Sequence, residues 1–290
     1  MSQTETTLLK ASAVSLILGV AKAGLALATG SHVVLASAVD SLGDAVVSLS
    51  NHGLARYAAQ PADEGHPYGH GKVEALAGLG QVLFLVAGAG WVATTAIKGL
   101  LGAARTAPLA GSAMIGLVAS MLVSAALARM LKRAGKEQRS LVLSSDAVHY
   151  QMDAISGIAA LIGLAVTRLT GHAEADDVAA LCVSALMVPS IIGLAREVLA
   201  ELVDSSLPAE ELTAIEAVLQ GTPGLLGWHA LRTRKSGRSK FIELHVVLDG
   251  TLTLAEGHRR ADALEAALRV AVAGADVIIH VDVDGEPDNP

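Results

Sequence analysis

Aromatic residues are nearly missing from this chain: two Trp, three Tyr and two Phe make up 2% of its 290 residues. No aromatic-rich platform is available for stacking bases, and no basic stripe is available for phosphates. Nucleic-acid recognition is therefore excluded as a function class. The same scarcity removes aromatic belts as a guide to membrane interfaces. Cysteine is represented once, by Cys182. An intrachain disulfide and a thiolate metal cluster are thereby ruled out. Cys182 sits in ALCVSALMV, where a small helix-packing role is expected. The opening residues, MSQTETTLLK, carry no signal-peptide cleavage pattern. The first apolar stretch is therefore expected to be kept as a helix. The formal net charge of −7 averages over dissimilar regions and points to no partner by itself.

What the chain has in excess is apolar surface. It is 52% hydrophobic, with a mean hydropathy of +0.52. That is more apolar than a soluble domain of this size. Residues 8–205 are rich in Ala, Leu, Val and Gly, whereas residues 208–290 read as an ordinary soluble α+β stretch. The expected division is a membrane domain over residues 1–206 and a soluble domain over 207–290. A span needs about 20 mostly apolar residues. Six candidates fit, at about 8–29, 32–58, 73–101, 111–131, 141–169 and 177–203. Arg129, Lys132, Arg133, Lys136 and Arg139 follow the fourth. By the positive-inside rule this segment, both termini and the loop at 59–72 are expected in the cytoplasm. The tail reads as helix, strand, strand, helix, strand, with KSGRS as the turn between the first two strands.

Spans two and five are the least hydrophobic, because each carries a polar pair: Asp40 with Asp44, and His149 with Asp153. Each pair is spaced i, i+4, so its members share one helix face about one turn apart. A charge at membrane depth costs a few kcal/mol or more if left alone (~2.5–3.5 on insertion scales) and marks a functional site by default. Three carboxylates and one imidazole form a tetrahedral set for a divalent metal. This donor set suits Zn²⁺, Fe²⁺, Cd²⁺ or Mn²⁺ better than Cu⁺. A metal arriving at His149 competes with a proton, which provides a route to metal/proton exchange. The bland alternative is that these are core polars satisfied by neighbours such as Ser41 or Asn51. Asp146, one turn before His149, is read as facing water at the helix entrance. AVDSLGD (38–44) and AVHYQMD (147–153) repeat the ligand offset as a faint internal echo.

Two further groups of donors stand outside the spans. PADEGHPYGHGK (61–72) holds Asp63, His66 and His70 in a Pro- and Gly-rich loop that can bend around one ion; the alternative is a solvated loop with incidental histidines. In the tail, strand alternation places His245 away from Ile242, Leu244, Val246 and Leu248. It also places His280 and Asp282 opposite an apolar face of Val277, Ile279, Val281 and Val283. His229 opens the first strand and His258 starts the last helix. These four histidines and one aspartate form a candidate metal cluster, or else scattered surface histidines. His32, His52 and His172 have no evident partner.

These residues resemble the cation diffusion facilitator family, in its bacterial zinc/ferrous-iron efflux branch. The resemblance is carried by AVDSLGDAVVSLSN, QPADEGHPYGHGKVEALA, AVHYQMDA, HALRTRKSG and DVIIHVD. It implies a six-helix transmembrane bundle followed by a cytoplasmic ferredoxin-like, metallochaperone-like α+β domain, assembled as a homodimer in the bacterial inner membrane. It makes Asp40, Asp44, His149 and Asp153 the transport site, and Asp63, His66 and His70 a second site. It makes His229, His245, His258, His280 and Asp282 a binuclear cytoplasmic site at the dimer interface. Lys72 and Asp204 match an interlocking pair near the membrane edge.

The expected activity is export of Zn²⁺, with Fe²⁺ or Cd²⁺ as further cargo, in exchange for protons by alternating access. Zn²⁺ is also expected as a regulatory ion in the tail, and the protein is not expected to be an enzyme. The alternatives are Mn²⁺ as main cargo, or a membrane metal sensor that does not transport. An intramembrane aspartyl protease using Asp40 or Asp44 with Asp153 leaves the histidine clusters unexplained.

Overall fold

In the computed structural model the described residues are 3–29, 32–102, 111–170 and 174–284. Side chains at 25, 26, 28, 29, 32–37, 39, 40, 111–113, 164, 167, 168 and 176 are not described. His172 and the side chains of His32 and Asp40 therefore lie outside the described residues. The chain divides into two compact units, Met1–Leu199 and Ala200–Pro290.

Six long helices fill the first unit: α1 Gln3–Thr29, α2 His32–Ala58, α3 Lys72–Leu100, α4 Gly111–Gln138, α5 Leu141–Thr170 and α6 Glu174–Leu202. In lipid every backbone polar group needs an internal partner, which a helix supplies. Among the described residues four segments are long and apolar enough to cross a membrane: Gln3–Gly24, Lys72–Leu100, Met114–Gln138 and Asp177–Leu202. α2 and α5 carry acids along their length, so inward burial of their polar faces is what suits them to a bilayer. Outward-facing apolar side chains such as Ile17, Val20, Leu83 and Trp91 are exposed, as a lipid-facing surface requires.

α4 runs about two turns past its expected end near residue 131. Its basic extension is made of good helix formers and carries an i, i+4 ion pair, Arg133 to Glu137 at 2.8 Å. Only Arg139 and Ser140 separate α4 from α5, and Arg139 takes a positive φ of 50°. The start of α5 is tied to α3: the Glu74 carboxylate accepts from Ser140 Oγ at 2.9 Å and from the Leu141 amide at 3.1 Å. One orphan amide of the α5 N-terminus is satisfied in this way. Leu8, Ala55, Leu131, Val142, Leu143 and Tyr150 form a common core for α1, α2, α4 and α5. Cys182 is exposed on α6, so the expected packing role is not observed.

The second unit begins in the last turn of α6. It continues as α7 Ala209–Gln220, β1 Gly227–Ser236, β2 Ser239–Leu248, α8 Leu254–Ala271 and β3 Ala275–Val283. The sheet order is β1-β2-β3, with β1 antiparallel and β3 parallel to β2. Gly237 supplies the positive φ of 58° needed at the first central position of the β1–β2 turn. Its amide donates to the Glu201 carboxylate at 2.6 Å. Thr253 caps α8 by accepting from the Glu256 amide, with acid three residues on as in a capping box.

On β2, Ile242, Leu244 and Val246 are buried against Ile215, Leu219, Leu264 and Leu268, and Leu248 is buried as well. The expected apolar face of β3 is only half covered. Val277 and Ile279 join the core, whereas Val281 and Val283 are each 38% exposed. The core ends before the last part of β3.

Candidate metal centres

The first cluster is built by packing α2 against α5. His149 Nε2 lies 3.0 Å from Asp44 Oδ1 and 3.6 Å from Asp153 Oδ2. One ligand atom from each of the three residues lies within 4.8 Å of the other two. Zinc bonds of about 2.0–2.1 Å in a tetrahedron place neighbouring ligand atoms about 3.3 Å apart. The two observed separations bracket that value, so small side-chain movements would bring the donors onto one ion. His149 is 4% exposed. Its Nδ1 is buried without a hydrogen-bond partner among the described residues. The Nε2 edge, facing two carboxylates, is thus its working edge. Asp40 lies one turn before Asp44 on α2, and its side chain is outside the described residues.

Around this cluster the structure corrects the reading of Asp146. It does not face water: it is fully buried and accepts from Ser48 Oγ at 3.0 Å and Asn51 Nδ2 at 3.2 Å. Ser48 also pairs with Tyr150 Oη at 2.9 Å, and Tyr150 with Ser15 Oγ at 2.7 Å. A chain of polar groups therefore joins α1, α2 and α5 beside the donors. Asn51 is occupied by Asp146, and Ser41 accepts from the buried Lys22 of α1 at 2.7 Å. Neither is observed as a partner of Asp44, His149 or Asp153, the candidate ligands whose side chains are described. Lys22, Ser48, Asn51 and Tyr150 were not identifiable as site neighbours from spacing. Lys22, the single charged residue in the apolar run 11–29, is the one available signal.

The loop cluster is preformed. Asp63 lies 3.2 Å from His66 Nδ1 and 3.4 Å from His70 Nε2. Reciprocal backbone bonds between Asp63 and His66, each 3.2 Å, close the turn, and Gly69 provides a φ of 79°. The His66 amide also donates to Asp63 Oδ1 at 2.7 Å. This bond is the main reason the Asp63 carboxyl is held below its ordinary value. His70 is buried against the Tyr57 ring, while Asp63 and His66 are exposed. The geometry is that of one buried donor and two reachable from solvent.

In the second unit, strand register decides the site. His229 pairs with His245 across the antiparallel ladder, and His245 pairs with His280 across the parallel one. Three imidazoles consequently stand side by side on the face away from the core. Asp282 joins them: its Oδ2 is 3.0 Å from His229 Nε2 and 3.0 Å from His245 Nδ1, and its Oδ1 is 3.2 Å from His280 Nε2. A bulge after His229, with Ala230 at a φ of 51°, shifts the β1 register there. Burial opposes ionisation of Asp282, but hydrogen bonds from His245 and His229 prevail and hold its carboxyl below its ordinary value. His258 stands apart, exposed on α8 and 3.5 Å from Asp262. Within one chain the structure does not bring it to the other four.

An Asp282→Asn variant separates these contributions. With chelator present, a carboxyl whose folded pKa lies below its unfolded value stabilises the fold at neutral pH. That contribution is lost as pH falls through the folded value, below the ordinary 3.8. The stability deficit of Asp282→Asn is thus expected to be full at pH 7 and to shrink below about pH 4. Acid titrations of parent and variant, followed by Trp228 fluorescence, check it; a deficit independent of pH contradicts the assignment.

Comparison with known proteins agrees with this architecture. Residues 8–203 match the cation efflux transmembrane domain, and residues 207–284 match the cytoplasmic domain of cation efflux proteins. The chain is 40% identical over 283 residues to the cation-efflux pump FieF of Pectobacterium atrosepticum, covering 96% of this chain and 93% of that protein. It is 37% identical over 255 residues to the cation-efflux pump FieF of Cronobacter sakazakii, covering 88% and 84%. Among solved structures, a zinc form of CzrB is 40% identical over 30% of this chain and 99% of its own, with a TM-score of 0.28. The metal-bound C-terminal domain of the CzcD transporter from Thermotoga maritima is 27% identical over 28% of this chain and 100% of its own, with a TM-score of 0.27. The chain belongs to the cation efflux, or cation diffusion facilitator, family. It is a multi-pass membrane protein of a family of cation exporters, with a helical membrane domain followed by an α+β cytoplasmic domain.

Proposed function

We propose that this protein exports divalent metal from the bacterial cytoplasm across the inner membrane in exchange for protons, by alternating access of a site made by Asp40, Asp44, His149 and Asp153. The carrying observation is the convergence of Asp44, His149 and Asp153 between α2 and α5. Nε2 of His149 and Oδ1 of Asp44 lie 3.0 Å apart, within hydrogen-bond reach, so a proton fits between them. A cation ligated by both takes the place of that proton, so loading and protonation exclude each other. Rocking of helix groups then presents the site to either side. One imidazole with carboxylates favours Zn²⁺, with Fe²⁺ and Cd²⁺ as further cargo. No nucleophile or general acid–base role is needed by this chemistry, so the protein acts as a transporter and not as an enzyme.

The loop cluster at Asp63, His66 and His70 binds a second ion at the cytoplasmic face. The histidine strip with Asp282 binds regulatory Zn²⁺, and its donor chemistry fits that ion. His258, remote within one chain, would join a site completed by a second copy in a homodimer. Metal there shifts the transport cycle only by binding one arrangement better than another.

Proteoliposomes test the reading. Zinc uptake is expected to rise when the pH gradient is set to drive protons the opposite way, and to fall when the gradient is collapsed. Zinc binding without any flux would instead assign the chain as a sensor.

A further inference from the structure

Lys22 lies on α1 within the apolar segment Gln3–Gly24 and is only 5% exposed. Its Nζ donates to Ser41 Oγ at 2.7 Å, and Ser41 is itself 4% exposed. Ser41 follows Asp40 directly on α2 and precedes Asp44 by less than one turn. The close approach of the two helices here is made possible by Gly19, one turn before Lys22. A Cβ at Gly19 would meet the Leu42 side chain at 2.8 Å. An ammonium buried at membrane depth persists only when opposite charge accompanies it. Its observed partner, Ser41, lies on the same helix as the candidate ligands Asp40 and Asp44.

We infer that Lys22 is a fixed counter-charge of the transport site, lowering its negative charge and keeping the ion releasable. Asp40, Asp44 and Asp153 with one ammonium carry two negative charges between them, and Asp146 lies one turn from His149, bonded to Ser48 and Asn51. The ammonium thereby reduces the excess negative charge held in the low-dielectric middle of the protein. The ammonium also repels the cargo across a poorly screened interior, so it weakens binding that three carboxylates alone would make tight. It touches no cargo; it acts through the field it places on the carboxylates.

This inference rests on the transport-site reading above, and the two are separable in one experiment. Zinc binding to the purified full-length protein is followed by isothermal titration at fixed pH and ionic strength. Asp153→Ala identifies the transport-site step as the one it removes; if it removes none, the site reading fails, whatever Lys22 does. On the identified step, Lys22→Gln is expected to tighten zinc binding about tenfold and to slow export in vesicles. Lys22→Arg, which keeps the charge, is expected to leave both near parental values. A mainly structural lysine would give weaker binding on removal, the opposite sign. Unchanged or weaker binding by folded Lys22→Gln overturns the inference, as does equal tightening by Lys22→Arg. If Lys22→Gln does not fold, Lys22→Met is read by the same criteria. If neither folds, Ser41→Ala releases the ammonium toward the carboxylates and is expected to weaken the step; unchanged or tighter binding then overturns it.

Discussion

Asp153→Ala is expected to reduce pH-driven zinc uptake to the level of empty vesicles. The carboxylate contributes one of the few donors within reach of a single ion, with Oδ2 3.6 Å from His149 Nε2. Even loss of an outer-shell partner of a metal ligand costs about 10–100-fold in affinity or activity. Loss of a ligand itself should exceed that. Fold loss is a minor concern, because the Asp153 side chain is 35% exposed and lies outside the apolar core of its unit. Radiolabelled or fluorescence-detected zinc flux makes the measurement, with gel filtration as the check on folding. Uptake at the parental rate by a folded Asp153→Ala protein would remove the basis for the transport site.

Asp146→Ala is expected to produce the largest stability loss of any single polar substitution near the site. The side chain is fully buried, and two donors of α2 depend on it, Ser48 Oγ and Asn51 Nδ2. Ser48 keeps Tyr150 as a partner, but the Asn51 amide is left buried without its acceptor. An abandoned buried donor costs about 1–3 kcal/mol, and the removed volume adds to it. A total of about 2–5 kcal/mol is anticipated. Apparent melting of the detergent-solubilised protein should fall by roughly 5–15 °C, at about 2–4 °C per kcal/mol for chains of this size. The double variant Asp146→Ala/Asn51→Ala should cost less than the sum of the single changes, since both partners of one bond are then absent. Strict additivity, or a melting temperature like that of the parent, would show that the clasp between α2 and α5 contributes little.

On the transport reading proposed above, this clasp also bears on the site. Ser48 and Asn51 lie one and two turns beyond Asp44 on α2, and Asp146 lies one turn before His149 on α5. Fixing the first pair of positions fixes the height at which the second pair meets. Asp146 is thus a positioning residue whose loss should weaken zinc binding as well as stability.

The candidate donors and the faces they occupy are readable from spacing, because helix and strand periodicity is a property of the local backbone. An i, i+4 offset puts Asp44 near Asp40 and Asp153 near His149 in any α-helix. Strand alternation likewise puts His245 and Asp282 opposite their apolar neighbours in any sheet. Other readings failed where the deciding contact came from a distant segment. The sequence around Asp146 gives no sign that Ser48 and Asn51 lie across from it, so water is the expected partner there. Val281 and Val283 continue the alternation of β3, but the cover that would bury them ends earlier. Cys182 has packing character in sequence and faces outward in the fold.

Composition and periodicity alone established the apolar helical region, the α+β tail, and which donors share a face. Tertiary packing alone decided which face meets which. It set α2 against α5 so that His149 reaches Asp44, aligned three histidines across β1, β2 and β3, left His258 apart, and buried Lys22 beside Ser41. The reason is physical: the backbone repeats every few residues regardless of context, whereas the height and partner of each helix follow from side chains far away in sequence.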